Sequence, residues 1–377
     1  MSVQAKRVLI TGGAGFIGSH LADALLAGGR RVRVMDALVP QVHGPGRKRP
    51  SYLNTDAELV VADAGNAAAV IRCLKDVDVL VHFAAAVGVG QSMYEIAPYV
   101  ASNTQATANL LQVLSRKKHG VRKLIVASSM SIYGEGAYRC ARCGPVVAPV
   151  RLDERLAAKQ WDMTCSACGA VAEAVPTPES KSIEPSSIYA ITKRDQEEMC
   201  LCVGRAYGIP TVALRFFNVY GERQALSNPY TGVAAIFASR LLNGQPPLVY
   251  EDGRQSRDFV HVSDVVQAVQ LAIEKPDADY RALNVGTGRP TTVRHVAEVL
   301  ARSLGQSIRP TILQSFRAGD IRHCVADVSA ITSALGYRPK VGFEAGMDRL
   351  TAWLRSQRPK DRTARAASQL SARGLIR

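Results

Sequence analysis

The sequence predicts an α/β protein built on a doubly wound parallel sheet. Three observations indicate this fold: a glycine-rich turn near the N-terminus, an acid at the end of the second strand, and apolar strands that alternate with helical segments up to residue 129. The 377 residues allow one large or two ordinary domains, and 47% hydrophobic with 21% charged residues is typical of a globular protein.

The glycine-rich turn is TGGAGFIG at 11–18, between a short apolar strand at 7–10 and a helical pattern at 19–26. Glycines at such a turn permit a tight bend and a close approach to a pyrophosphate, and the helix N-terminus presents free N–H groups to the phosphates. The turn therefore predicts a dinucleotide site. The residues expected to contact the cofactor here are Gly12, Gly15, Phe16, Ile17 and Gly18.

The strand 31–35 ends in Asp36, about twenty residues past the glycines, where a carboxylate would accept the adenosine ribose hydroxyls. A carboxylate would also repel a 2′-phosphate, so this position favours NAD over NADP. Three arginines close by (Arg30, Arg31 and Arg33) leave NADP open as the alternative.

The next segments continue the alternation of strands and helices. The pattern predicts a loop at 40–50, strands at 58–63, 77–83 and 123–129, and helices at 66–74 and 91–116. Ligands of a parallel sheet bind at the carboxyl ends of its strands. The residues expected along that edge are Asp36, Asp63, Ala84, Ala85, Ser128 and Ser129.

Tyr189 and Lys193 lie four residues apart in a segment, 187–203, that reads as a helix, so they share one face. A tyrosine titrates near pH 10, and a nearby ammonium would favour the phenolate and bring it towards neutral pH. Ser129 could hydrogen-bond the same substrate hydroxyl. The pattern predicts a general base with Ser129, Tyr189 and Lys193 as its catalytic residues.

These features resemble those of the extended short-chain dehydrogenase/reductases, with a Rossmann fold, and within them the nucleotide-sugar epimerases and dehydratases. The resemblance covers about residues 5–355. It rests on TGGAGFIG, Asp36, Asp63, SSMSIYG at 128–134 and the Tyr189–Lys193 pair, and it continues in LRFFNVYG at 214–221, DGRQSRDFV at 252–260 and RAGD at 317–320.

The resemblance implies a nucleoside-diphosphate sugar as substrate, with Asn218, Arg257 and Arg317 on the diphosphate and Asp320 on the nucleotide ribose. It also implies that Asn103 supports the cofactor end, and that Tyr189 and Lys193 contact the cofactor. The expected layout is an NAD-binding domain at 1–215 and a mostly substrate-binding domain at 216–355, part of which returns to the sheet. A homodimer through the helices at 91–116 and 187–203 is expected.

Met130 and Ser131 stand where dehydratases of this family carry Asp-Glu, and decarboxylating relatives carry a glutamate at the position of Ser131. Neither residue here is a carboxylate, which leaves 4-epimerisation with retained NAD. Segments 86–93 and 129–136 resemble dTDP-L-rhamnose 4-epimerases, which make dTDP-6-deoxy-L-talose, and Val87, Val89 and Met130 would suit a 6-deoxy methyl group. A ketosugar reductase or dehydrogenase and a non-catalytic binding protein are the alternatives.

Four of the eight cysteines form two CxxCG knuckles separated by 21 residues. Four thiolates in this spacing predict a closed, structural zinc site in a ribbon-like insertion at about 138–175. Disulfides are the alternative, against which a cytosolic location argues. The predicted ligands are Cys140, Cys143, Cys165 and Cys168.

The formal net charge is +15, part of it in the stretch 356–377, which reads as a basic, disordered tail. Anionic ligands explain a basic enzyme without nucleic-acid binding. No apolar run reaches membrane-spanning length and no signal-peptide core precedes the first strand, so a cytoplasmic protein is expected.

Overall fold

The computed structural model describes residues 7–116, 118–148 and 150–377. The strands, numbered along the chain, are β1 (Arg7–Thr11), β2 (Arg31–Asp36), β3 (Glu58–Val61), β4 (Val79–His82), β5 (Lys123–Ser129), β6 (Ala137–Cys140), β7 (Gly144–Val146), β8 (Glu173–Val175), β9 (Thr211–Phe216), β10 (Asn218–Tyr220), β11 (Leu248–Val249), β12 (Ser256–His261), β13 (Arg281–Val285), β14 (Pro290–Thr292), β15 (Thr311–Ile312) and β16 (His323–Cys324).

The α-helices are α1 (Phe16–Ala27), α2 (Pro40–His43), α3 (Ala67–Cys73), α4 (Val89–Ser92), α5 (Ile96–Tyr99), α6 (Ala106–Ser115), α7 (Asp153–Ala157), α8 (Ile188–Tyr207), α9 (Val233–Leu242), α10 (Val262–Glu274), α11 (Val293–Ser303), α12 (Ser329–Leu335), α13 (Phe343–Leu354) and α14 (Thr363–Ser371). A π-helix spans Val100–Gln105, and 3₁₀ helices span Met130–Tyr133 and Pro276–Ala278. Within the described ranges, no helix has both the length and the apolar character that crossing a bilayer requires.

Seven strands form one parallel sheet in the order β13-β9-β5-β4-β1-β2-β3. Successive residues of a strand face opposite sides, so Val8 and Ile10 of β1 pack into one buried layer and Leu9 into the other. Both faces are thus covered by apolar layers, which is why the inner strands are near-continuous apolar runs. The predicted doubly wound α/β fold is confirmed.

A second, smaller set of helices and strands packs over the carboxyl ends of the parallel strands. Its core lies among α9, α11 and α13, and its short sheet joins β10, β12 and β14, with β16 also paired to β12. The chain returns to the large sheet at β13, which pairs with β9. As a result, the segments predicted to bind the substrate face the carboxyl ends of the parallel strands.

Two local predictions need correction. The segment 40–50 is not wholly a loop, because it contains α2. The single helix expected at 91–116 is broken into α4, α5, the π-helix and α6. The wider turn of the π-helix lies where buried Asn103 bonds to neighbouring elements, a tertiary demand that local helical periodicity does not report.

The prediction of a disordered tail is also wrong. Residues 363–371 form α14, whose Ala366 and Leu370 are buried one turn apart. Beyond the helix, Ala318 donates its backbone N–H to the Leu375 carbonyl, and Phe316 and Arg377 exchange two backbone hydrogen bonds of 2.8 and 3.0 Å. Two apolar anchors and a short backbone pairing therefore hold a segment whose composition reads as solvated.

Candidate active site

One cleft of about 1230 Å³ follows the carboxyl ends of the parallel strands. All of the predicted catalytic, cofactor and substrate residues line it except Asn103. The cysteine cluster lies outside it. Residues predicted separately along more than 300 positions of sequence therefore meet at a single site.

At the glycine turn, backbone segments pack too closely to accommodate side chains. Gly12 has a φ of +68°, and a Cβ there would lie 2.8 Å from the Ala84 nitrogen; a Cβ on Gly18 would lie 2.6 Å from the Gly12 carbonyl oxygen. Helix α1 begins at Phe16 with no side-chain cap and no acid in its first turn. Its first N–H groups are therefore available to an anion, as a pyrophosphate cradle requires.

Asp36 ends β2 beside this turn. Its carboxylate accepts hydrogen bonds from the backbone N–H groups of Ala14 (3.0 Å) and Leu38 (2.9 Å). Two of the arginines that left NADP open are engaged elsewhere: Arg30 pairs with a glutamate of α10, and Arg33 with Glu58. Neither these two nor Arg31 lines the cleft. The turn and the carboxylate fit NAD.

The strand β5 and the helix α8 bring the predicted catalytic residues together. Ser129 ends β5, and its Oγ accepts hydrogen bonds from the N–H and the hydroxyl of Ser131. Ser187 caps α8 through the Ala190 N–H, and the Tyr189 backbone N–H donates to Ser92 Oγ. The first turn of α8, which carries Tyr189, is therefore held at both its cap and its backbone.

The pKa of Tyr189 in the free protein is shifted upwards, whereas the sequence predicted a shift towards neutral pH. Burial raises the pKa of Tyr189 to about 12, although its hydrogen bond with Ser129 acts in the opposite direction. The Lys193 ammonium donates a hydrogen bond to Gln196 Oε1 at 2.7 Å. Burial lowers the pKa of Lys193 to about 8, so the group is cationic at neutral pH.

A buried polar network behind Lys193 was missed by sequence reasoning. His82, at the end of β4, joins Thr11 Oγ1 (2.8 Å) and Thr107 Oγ1 (2.9 Å), and Gln196 donates to Thr107. Burial lowers the pKa of His82 to about 3, and the Lys193 charge adds to the effect, so the imidazole is neutral. The available signal was position: His82 lies at a strand end, and Gln196 lies one turn beyond Lys193.

Asn103 does not reach the cleft. Its side chain accepts from the Ala86 N–H, donates to the Ala86 carbonyl and donates to Thr192 Oγ1 at 2.9 Å. All three bonds are internal, so this residue ties the chain after β4 to the catalytic helix. Its expected support of the cofactor end is therefore indirect, through Ala86, which lines the cleft.

At the predicted substrate end of the cleft, two arginine side chains pair with one aspartate. Arg317 donates to Asp320 Oδ2 at 2.8 Å, and Arg257 Nη2 lies 3.4 Å from Asp320 Oδ1. Burial opposes ionisation of Asp320, but Arg317 and Arg257 outweigh it and lower its pKa to about 2. The Asn218 Oδ1 atom is buried without a partner among the described residues. Polar groups and guanidinium ions at this end suit a phosphorylated ligand.

The C-terminal segment adds cations that sequence reasoning assigned to a solvated tail. Arg358, Lys360 and Arg362 line the cleft, together with buried Ala366 and Leu370. Part of the basic excess therefore lies beside the site where an anionic ligand would bind, on side chains that are also exposed to solvent.

The four predicted metal ligands converge in the insertion. Their sulfur atoms all lie within 4.8 Å of one another, and Cys140 and Cys168 are 3.6 Å apart. Sulfurs around a tetrahedral zinc would be about 3.8 Å apart, given Zn–S bonds near 2.3 Å. The four thiols are free, and Gly144 and Gly169, which follow the two knuckles, have φ values of +82° and +70°. The cluster fits a closed tetrahedral site.

Known proteins match most of this chain in sequence and in fold. Residues 8–150 and 163–286 match the NAD dependent epimerase/dehydratase family. The chain is 35% identical to the dTDP-L-rhamnose 4-epimerase of Burkholderia thailandensis over 93% of this chain and 96% of that protein. It superimposes on UDP-glucose 4-epimerase of Thermotoga maritima with UDP-glucose (TM-score 0.75, 31% identity, 93% and 98% of the two chains).

A third relative carries the cofactor. The UDP-glucuronic acid 4-epimerase of Bacillus cereus in complex with UDP-glucuronic acid and NAD is 26% identical, with a TM-score of 0.75 over 93% of this chain and 99% of that one. The names of these three proteins share a 4-epimerase activity on nucleotide sugars but differ in the sugar.

Replacing Asp36 by Asn should weaken NAD binding about tenfold to hundredfold, the range for a lost charge-assisted hydrogen bond of roughly 1.5–3 kcal/mol. Titration of the protein with NAD measures this. Asp56→Asn, an exposed acid in the neighbouring loop, is the matched control. An Asp36→Asn protein that binds NAD as tightly as the control would show that Asp36 does not contact the cofactor.

Proposed function

This chain belongs to the NAD dependent epimerase/dehydratase family, and we propose that it is a nucleotide-sugar 4-epimerase that converts dTDP-L-rhamnose to dTDP-6-deoxy-L-talose with retained NAD. The observation that carries the proposal is the convergence of three parts in one cleft: the dinucleotide turn, the Ser129–Tyr189 pair and the cationic substrate end. Each part corresponds to one requirement of the reaction: cofactor, proton transfer and diphosphate binding.

NAD in such a site supplies reversible acceptance of a hydride. The residues of this chain handle the proton. Tyr189 takes the proton of the sugar 4-hydroxyl as the carbon becomes a ketone, and returns it when the ketone is reduced on its other face. Ser129, hydrogen-bonded to Tyr189, orients the same oxygen. The Lys193 cation favours the phenolate in the working complex.

The carboxylates of the cleft argue for epimerisation over elimination. Among the described residues lining the cleft, the carboxylates are Asp36, Asp63 and Asp320, at the predicted cofactor and nucleotide ends. The two residues after Ser129 are Met130 and Ser131, neither of which is a carboxylate. The Ser131 hydroxyl donates a hydrogen bond to Ser129 Oγ. An elimination needs an acid or base next to the sugar ring. The 4-keto sugar therefore has no partner for losing water.

Two apolar side chains support the 6-deoxy sugar. Val87 lines the cleft with 53% of its surface exposed, and Met130, next to Ser129, lines it from a small cluster with Phe217. A methyl group gains from contact with such surface, whereas a carboxylate would require a cation there. The similarity to the Burkholderia enzyme adds support for dTDP-L-rhamnose.

Incubation of the purified protein with dTDP-L-rhamnose, without added cofactor, should convert it to the talo epimer, followed at the sugar C4 proton by NMR. Tyr189→Phe should lower turnover about 10²- to 10⁴-fold, because general-base catalysis contributes on that scale. The variant should keep its NAD. Tyr207→Phe, at the exposed far end of α8, is the control for the substitution itself.

The outcomes separate the alternatives. Conversion of UDP-sugars but not of dTDP-L-rhamnose would keep the reaction and reject the substrate. Turnover only after NADH and a keto-sugar are supplied would indicate a reductase. Full activity of Tyr189→Phe would reject Tyr189 as the base.

We propose that the protein is a homodimer through the helices between 91 and 116 and α8. This surface carries exposed apolar side chains at Ile96, Val100 and Ile191, each more than 40% exposed. Light scattering at micromolar concentration should give twice the 40.5 kDa chain mass. Val100→Asp with Ile191→Asp should give the monomer, whereas Val147→Asp, at an exposed apolar residue of the insertion, should not. A monomeric wild type would reject the dimer.

We propose that the cysteine cluster holds a structural zinc ion in a cytoplasmic protein, where thiols stay reduced. Elemental analysis should find about one zinc per chain, as a Cys₄ site requires. Cys140→Ser with Cys165→Ser should lose it. Cys202→Ser, an exposed cysteine of α8, should retain it. Untreated protein without zinc would contradict this assignment.

A further inference from the structure

The insertion between β5 and α8 reaches the substrate end of the cleft through one buried side chain. Arg151 Nη2 donates to Glu251 Oε1 and to the backbone carbonyl of Asp320, both at 2.8 Å. Its Nε lies 3.0 Å from Glu135 Oε1 in an ion pair. A single guanidinium thus joins the insertion to the segment after β5, to the turn after β11 and to the loop that carries Asp320.

A second charge of the insertion holds the other end of that loop. Asp162 accepts two hydrogen bonds from the fully buried guanidinium of Arg322, at 2.9 and 3.1 Å. Arg322 also donates to Glu251 and Asp252, and its backbone N–H donates to Glu135. The two arginines share Glu135 and Glu251, so they form one connected network.

The third contact is apolar. Leu156 and Trp161 of the insertion form a buried cluster with Phe316. Phe316 immediately precedes Arg317, the residue whose guanidinium binds Asp320. We define residues 316–322 as the substrate loop; the insertion contacts it at its start, at Asp320 and at its end.

The network holds a backbone shape that the chain would not adopt alone. Glu251 has a φ of +52° and Gln314 a φ of +55°, and the two residues are joined by a backbone hydrogen bond of 3.2 Å. Left-handed conformations of such residues persist where the surroundings impose them. Here the surroundings include Arg151 and Arg322 on the Glu251 carboxylate.

We propose that the insertion positions the substrate loop for the nucleoside diphosphate, with Arg151 as the positioning residue. The inference rests on the proposed function, since Arg317 and Asp320 are taken as nucleotide ligands. Arg151 itself does not line the cleft, so it acts through the Asp320 carbonyl and Glu251. The cysteine cluster then stabilises the substrate end of the site while contributing no group to it.

The test is Arg151→Lys, which keeps the positive charge but cannot bridge three acceptors as a guanidinium does. Calorimetric titration with dTDP and with UDP measures nucleotide affinity at the substrate loop and does not depend on turnover. We expect diphosphate affinity to fall about tenfold to hundredfold, the range of a lost charge-assisted hydrogen bond. KM should rise in parallel while kcat and bound NAD stay near wild type.

The matched control is Arg155→Lys, because the side-chain hydrogen bonds of Arg155 go to Gln160 and Thr164 within the insertion. It should bind dTDP as wild type does. If Arg151→Lys does not fold, Asp162→Asn decides: its side chain is 57% exposed, so it tolerates the change, and it should weaken dTDP binding in the same direction.

The failures are distinguishable. If the wild type binds dTDP or UDP and the folded Arg151→Lys protein, or Asp162→Asn in its place, binds them equally well, the positioning role is overturned. If the wild type binds neither nucleotide, the proposed function fails instead. A loss of kcat with unchanged nucleotide affinity would also overturn the inference, because it would place the effect at the reacting sugar.

Discussion

The close backbone approach at the glycine turn is the constraint on which the rest of the site depends. Gly12 lies against Ala84, and Gly18 lies against Gly12, at distances that admit no Cβ. These contacts bring β1, α1 and the chain after β4 together. The Ala14 N–H inside the turn then donates to Asp36. The glycine turn and the carboxylate predicted to bind the NAD pyrophosphate and ribose therefore form one rigid unit, and the strand ends beside it position the predicted catalytic residues.

Behind the predicted catalytic helix, neutral buried polar groups surround the Lys193 ammonium. Lys193 binds Gln196, Gln196 binds Thr107, and His82 is held between two threonines. Each buried polar group has a partner, as burial requires. The network fixes the Lys193 ammonium at the base of the cleft, where its charge remains while Tyr189 stays protonated in the free protein.

The insertion and the C-terminal segment both contact the substrate loop. Arg151 and Asp162 hold it from one side, and residues 375–377 pair with its first residues from another. The two additions also touch each other through the Asp153–Arg377 ion pair. The loop that carries Arg317 and Asp320 is thus built from remote parts of the chain. Its geometry is a property of the whole molecule rather than of the RAGD motif.

Local signals in the sequence determined the parallel fold, the glycine turn, Asp36, the shared face of Tyr189 and Lys193, and the two cysteine knuckles. Each is set by spacing over a few residues, which a linear reading captures. Tertiary structure alone decided that Asn103 binds protein groups, that Lys193 turns to Gln196, that residues 356–377 dock through Ala366 and Leu370, and that Arg151 holds the substrate loop. Burial and pairing decide these, and both depend on partners up to hundreds of residues away in the chain.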